Sequence, residues 1–168
     1  MKYNFPENLY TEVRIEDAYS AHFYIRDDDA EGNGEVQVTG ARIRVFDGKM
    51  WYTSTTNDLD SIQTEIDNLA KVATPNPNIL KNKIVKNFAP NKVNNLVFQN
   101  EKSLRNVTVN QRESICRNYR KACTDKSVPE IKVTHTSLWC NSMIKSIYTS
   151  KGTEIHQDYQ RCGLLELM

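Results

Sequence analysis

Through much of the first fifty residues, apolar side chains recur at every second position, the period of strands with one buried face. Tyr10 to Glu16 alternates about Val13 and Ile15, and Ala21 to Arg26 is an aromatic-rich run. The acidic, glycine-containing stretch DDDAEGNG at 27 to 34 reads as a turn or loop. Alternation resumes from Gly34 to Thr39 through Val36 and Val38, is interrupted at Gly40, and continues from Ala41 to Phe46. Asp47-Gly48 predicts a tight hairpin turn, because glycine tolerates the positive φ such turns demand. Met50 to Thr53 is then the returning strand.

The period next lengthens to three and four. Leu59, Ile62, Ile66, Leu69 and Ala73 share one apolar face, which predicts a helix lying on the sheet. Asn57 is its expected cap, through a side-chain oxygen accepting from a first-turn N–H, and Asp60 suits the positive end of the helix dipole. Pro75 and Pro77 bar continuation. From 74 to 107 the chain is rich in Asn, Lys and Pro, with short apolar groups at Ile79-Leu80, Ile84-Val85, Phe88 and Leu96-Val97-Phe98. This predicts an irregular peripheral arm, or a loop with short helical turns, whose Lys81, Lys83, Lys86 and Lys92 are solvated, since no aromatic series interleaves with them for stacking on nucleic acid. A second helix is predicted over 109 to 123, with Val109, Arg112, Cys116, Tyr119 and Cys123 on one side and Ile115 and Ala122 widening it. Strand patterns return at Glu130 to Thr136, Leu138 to Tyr148 and Gly152 to Leu167, with a turn at Ser150-Lys151-Gly152. The order predicts an α+β fold: a largely antiparallel sheet packed against two main helices, with an irregular Asn/Lys/Pro-rich arm between them. Helices alternate with strands too seldom for a doubly wound sheet.

At 168 residues, a single α+β domain over 1–168 is the simplest organisation, able to bury a core without metal or disulfide. Lys and Arg total 22 against 21 acidic residues, and this balance gives no case for direct nucleic acid or anionic membrane binding. No run approaches the length of a membrane span, and the amino end lacks a basic segment followed by an apolar run, so a cytoplasmic location is expected. Cys116, Cys123, Cys140 and Cys162 lack the close pairing of a zinc ribbon or redox pair and are expected to be reduced and partly buried.

Candidate chemistry is sparse. His22, His135 and His156 fall in three separate strand patterns, and no HExxH is present. Neighbouring strands of a fold could gather His135, His156, Cys140 and Asp158 as metal ligands, although structural or surface histidines are the more economical reading. Without G-x-S-x-G, Ser54 and Ser142 are ordinary serines. Asp27 to Asp29 lack the ligand spacing of a calcium loop. Neither GxGxxG nor a Walker A sequence occurs. Arg42 and Arg44, alternating in GARIRVF, offer paired donors for a carboxylate or phosphate, or for structural salt bridges to Glu12, Glu16, Asp28 or Asp58. Trp51, Tyr52, the hydroxyls from Thr53 to Thr56 and the adjoining Asn57 form either a recognition surface or core and interface material.

The stretch Gly40 to Gly48, GARIRVFDG, with the following Ser54-Thr-Thr-Asn-Asp-Leu59 junction, resembles the amino-terminal domain of the TldD/PmbA family. These are zinc-dependent peptidases long labelled modulators of DNA gyrase. The early acidic strand EVRIED, the later helix and the final hairpin about Tyr148 to Gly152 extend the resemblance over most of the chain. It implies the N-terminal domain, or a fragment, of a longer protein whose C-terminal, largely β domain carries the peptidase site. The family's metal-binding histidines lie on a helix beyond the matched region, so no catalytic, cofactor or metal residue is carried over, and zinc is expected in that C-terminal part. What the resemblance implies here is a non-catalytic domain that contributes to a substrate channel and a subunit interface. Its partners would be the peptidase domain, a homo- or heterodimer mate, and a peptide or unfolded protein. The candidate surface is Arg42, Arg44, Trp51, Tyr52, Ser54 and Asn57. Trp51 departs from the family pattern at a position where Gly is common. The alternative is a standalone protein- or peptide-binding module without enzymatic activity.

Overall fold

The computed structural model describes residues 2–124 and 134–167. Its main elements are β1 (Tyr10–Arg26), β2 (Asp29–Phe46), β3 (Trp51–Thr56), α1 (Ile62–Val72), β4 (Lys92–Asn95), α2 (Val109–Thr124), β5 (His135–Thr149) and β6 (Glu154–Leu167). The strands form one sheet in the order β3-β2-β1-β5-β6-β4. β3 runs antiparallel to β2, and the short β4 runs parallel to β6. The fold is therefore α+β, with a mixed, largely antiparallel sheet and two helices. The predicted strand at Glu130 to Thr136 lies mostly outside the described residues, its last two positions opening β5. Among the described residues no helix is long and apolar enough to cross a membrane.

Two strands are longer than the sequence predicts. β1 runs unbroken through Asp17 to Ser20, because one set of alternate positions stays inward: Thr11 and Val13, then Tyr19, Ala21, Phe23 and Ile25, are all buried. β2 absorbs most of the acidic stretch that reads as a loop, leaving only Asp27 and Asp28 in the turn. Asp27 takes the positive φ of 51°, and its carboxylate accepts from the Thr134 N–H at 2.9 Å. Gly32 and Gly34 serve close approach. A Cβ would come within 2.1 Å of the Tyr24 ring at Gly32 and 2.5 Å of the His22 ring at Gly34, so the glycines let these rings lie across β2.

The contacts divide the chain into two compact units, the first made of residues 1–17, 39–96 and 144–157. Here Ile62 and Ile66 of α1 pack on Val13, Ala41, Ile43 and Tyr148, as the apolar stripe predicts. The cap differs from expectation. Ser61 stands at the α1 cap without a side-chain bond, and Asp58 instead caps a short 3-10 turn (Leu59–Ser61) that precedes α1, accepting from the Asp60 N–H at 3.1 Å. Thr56 Oγ1 supports this corner by accepting from the Asp58 N–H at 3.0 Å. The arm carries short helical turns, one of the two forms its sequence allows. Two 3-10 turns, Ile79–Lys81 and Val85–Asn87, sink Ile79 and Val85 into a cluster with Tyr10 and Phe46. Asn76 and Asn82 donate to the carbonyls of Asp47 and Gly48, each at 3.1 Å, fastening the arm to the hairpin turn.

The second unit comprises residues 18–38, 97–143 and 158–168. Cys116 of α2 packs on Tyr19, Ala21, Phe23, Ile25, Leu138 and Cys140. The predicted face of α2 is only partly correct. Arg112 and Cys116 are buried, whereas Tyr119 and Ile115 are 39% and 43% exposed. The helix turns its 112/116/120 row toward the strands because Arg120 is held there, donating to Thr134 Oγ1 at 2.8 Å and pairing with Asp28. All four cysteines are free thiols: Cys116 and Cys140 are buried, Cys123 is half-buried, and Cys162 is exposed against expectation. Burial pushes the Cys116 and Cys140 thiols above their ordinary pKa.

Candidate functional site

The six residues singled out by sequence all lie in the first unit, on or beside the β2–β3 hairpin. Register places Arg42 opposite Thr55, Ile43 opposite Ser54, Arg44 opposite Thr53 and Phe46 opposite Trp51. Arg44 is committed to structure. Its Nη2 donates to both oxygens of Glu12 at 2.9 Å, and its guanidinium lies 4.6 Å from the centre of the Trp51 ring. Trp51 in turn stacks on Phe46 at 4.7 Å and meets Tyr10 edge-on at 5.9 Å. The tryptophan fills space between strand and arm. Burial, followed by the Glu12 charge, pushes the Tyr10 phenol up to about 12.

Tyr52 and Ser54 are also engaged. Tyr52 donates from its hydroxyl to Asp47 at 3.2 Å, and Ser54 donates to Glu65 of α1 at 2.5 Å. Asn57 is exposed, and its Oδ1 would be 2.9 Å from a Cβ at Gly40. Arg42 is exposed too, with no hydrogen-bond or ion-pair partner among the described residues. The structure thus brings Arg44, Trp51 and Tyr52 into one packed hairpin and leaves Arg42 and Asn57 to solvent.

Asp47 organises that hairpin, though the sequence marked it only as a turn residue. It is nearly buried, and its Oδ1 accepts from the N–H groups of Lys49 and Met50 at 2.7 and 2.8 Å. The Met50 N–H, aided by the Lys49 N–H and the Tyr52 hydroxyl, holds its carboxyl below the usual carboxylate range. Asp47→Asn is expected to destabilise the chain by about 1.5–2 kcal/mol at neutral pH, at the low end of the range for hydrogen bonds to charged groups. A depressed folded pKa contributes stability that is present above the unfolded value, about 3.9, and is lost as pH falls through the folded value. Urea titrations across pH should therefore show the wild-type advantage constant near neutrality and shrinking below about pH 4.

The possible metal ligands are not gathered. Asp158 accepts from the Val97 and Phe98 N–H groups, both at 2.8 Å, and from Gln99, while His156 Nδ1 lies 3.0 Å from Ser146 Oγ. Among the described residues no three His, Cys, Asp or Glu side chains form a group able to hold a metal ion. With Asp158 spent on backbone donors, this set does not fit zinc.

A groove on the second unit escaped the sequence reading. It occupies about 220 Å³ on the face of the strands opposite α2, lined by Ala18, Val36, Val38, Met143, Tyr159 and Arg161. The available signal was Val36 and Val38 alternating on a strand with polar neighbours. It could not reveal that four strands bring these side chains together.

Comparison with known proteins connects this geometry to a family. Residues 11–74, from the start of β1 past the end of α1, match the model described as PmbA/TldA metallopeptidase domain 1. No curated protein sequence matches the chain significantly. A structure described as a modulator of a DNA gyrase from Thermotoga maritima superposes with a TM-score of 0.66 at 9% identity, covering 93% of this chain and 35% of that one. A Bacteroides thetaiotaomicron structure similarly described gives 0.56 at 13% identity, covering 94% and 36%. TldE from Thermococcus kodakarensis gives 0.53 at 9% identity, covering 92% and 35%. The chain spans about a third of the length of these structures. Residues 11–74 thus match the first domain of the TldD/PmbA family, and the fold that carries them resembles that of the modulator of DNA gyrase structures.

Proposed function

We propose that this chain is the non-catalytic first domain of a TldD/PmbA-like metallopeptidase, shaping a substrate channel and a subunit interface while the peptidase metal site lies outside these residues. The observation that carries this reading is the match of residues 11–74 to the family's first domain, supported by fold likeness over more than nine-tenths of the chain. In the whole protein, zinc would activate water against a peptide bond. The residues described here would hold and orient peptide and support the partner subunit, in a soluble cytoplasmic assembly. Of the six hairpin residues, Arg42 and Asn57 are the ones exposed enough to meet a partner directly, while Arg44, Trp51, Tyr52 and Ser54 would shape that surface from beneath.

The test compares this chain with the product of a reading frame extended beyond Met168. Zinc content and peptide hydrolysis are expected only in the longer product. A natural stop after Met168, with peptide binding intact, favours a standalone binding module.

A further inference from the structure

We propose that the groove on the open strand face of the second unit receives the C-terminal residue of a peptide. The aliphatic side chain sits among Val36, Val38 and Met143, and the free carboxylate meets Arg161. The assignment rests on the peptide-handling reading above and adds the ligand class and its polarity.

Its first support is apolar exposure. Val36 and Val38 are 57% and 53% exposed, side by side on one strand and facing a concavity, in contrast to scattered single surface apolar residues. Methionine beside them adapts to varied aliphatic shapes. The second support is charge. Arg161 lies 5.8 Å from the centre of the Trp139 ring, and no carboxylate among the described residues pairs with it. The other arginines of the unit are occupied: Arg26 with Glu31, Arg112 with Glu35, Arg117 with Glu113, Arg120 with Asp28, and Arg105 with Ser142. Arg161 is therefore a guanidinium oriented by an aromatic face with donors to spare, the group best suited to a carboxylate. Gly163 secures that platform, since a Cβ there would stand 2.2 Å from the indole carbons of Trp139.

Size decides between possible acidic ligands. At about 220 Å³ the groove is smaller than sites that enclose a whole small molecule, about 300–1,000 Å³. One residue fits. A C-terminal residue brings an apolar side chain and a carboxylate in that space, whereas an internal Asp or Glu brings the charge without the apolar group. Ser20 and Asn141, also lining the groove, offer partners for the peptide amide.

Isothermal titration calorimetry of the full chain with Ala-Ala-Ala-Leu tests this, against its C-terminal amide and against Ala-Ala-Ala-Ala as the free acid. The free leucine acid is expected to bind about tenfold or more tighter than the amide, the effect of a charged hydrogen bond. It should also exceed the alanine peptide severalfold. Arg161→Gln should abolish the acid–amide difference, and Val38→Ser should reduce the leucine–alanine difference. Both positions face solvent, so unchanged thermal midpoints verify folding. Equal binding of acid and amide, or a difference that survives Arg161→Gln, overturns the groove while leaving peptide handling intact. Binding by none of the peptides also overturns it, and the parent reading is then judged separately by zinc content and hydrolysis.

Discussion

Replacing Arg112 with alanine should destabilise the folded chain by about 3 kcal/mol, in the range for deleting large buried side chains or breaking buried ion pairs. Arg112 has no solvent exposure. Its Nη1 donates to the Val107 carbonyl at 2.6 Å, and its Nη2 pairs with Glu35, whose side chain is 47% exposed. The asymmetry defines the test. Glu35 can regain water when the arginine is lost, so the main cost comes from the void beneath α2 and the stranded Val107 carbonyl, with the lost charge pair a smaller part. Arg112→Met, which restores most of the volume, should cost less than half as much as Arg112→Ala in urea unfolding followed by circular dichroism. Equal costs would mean that the polar contacts to Val107 and Glu35, and not the vacated volume, dominate.

The second large effect concerns the contact between α1 and the sheet. Ile43 of β2 and Ile66 of α1 are both fully buried in one cluster. Each truncation to alanine is expected to cost about 3 kcal/mol, near the middle of the range for large aliphatic deletions in cores. The double variant should lose less than the sum, because the two vacated volumes merge and their lining relaxes together. Strict additivity, measured by the same urea titrations, would show that the two side chains do not share a packing site. Both residues lie inside the region that matches the family's first domain.

What the sequence revealed depended on how far apart the interacting residues lie. α1 was legible because Ile62, Ile66 and Leu69 repeat at helical spacing and prolines close the segment. The hairpin was legible because Asp47-Gly48 is local turn chemistry, and Gly48 indeed takes φ 101°. The lengths of β1 and β2 were not. The glycines at 32 and 34 resemble breaks until the rings of Tyr24 and His22 are placed across them. The candidate cluster was visible as Arg44, Trp51, Tyr52 and Ser54, yet its consumption by packing depended on Glu12, 32 residues away from Arg44, and on the arm that covers Tyr10 and Phe46. The groove was invisible for the same reason, since its side chains come from four strands.

Arg44, Glu12 and Asp47 are held in the packing of the hairpin, and among the described residues no three His, Cys, Asp or Glu side chains form a group able to hold a metal ion. The most direct measurement is zinc content together with peptide hydrolysis for the purified 168-residue chain, side by side with any product whose reading frame extends beyond Met168. The account predicts neither stoichiometric zinc nor turnover in the chain alone and both in the longer product. Stoichiometric zinc or real turnover in the chain alone would contradict it.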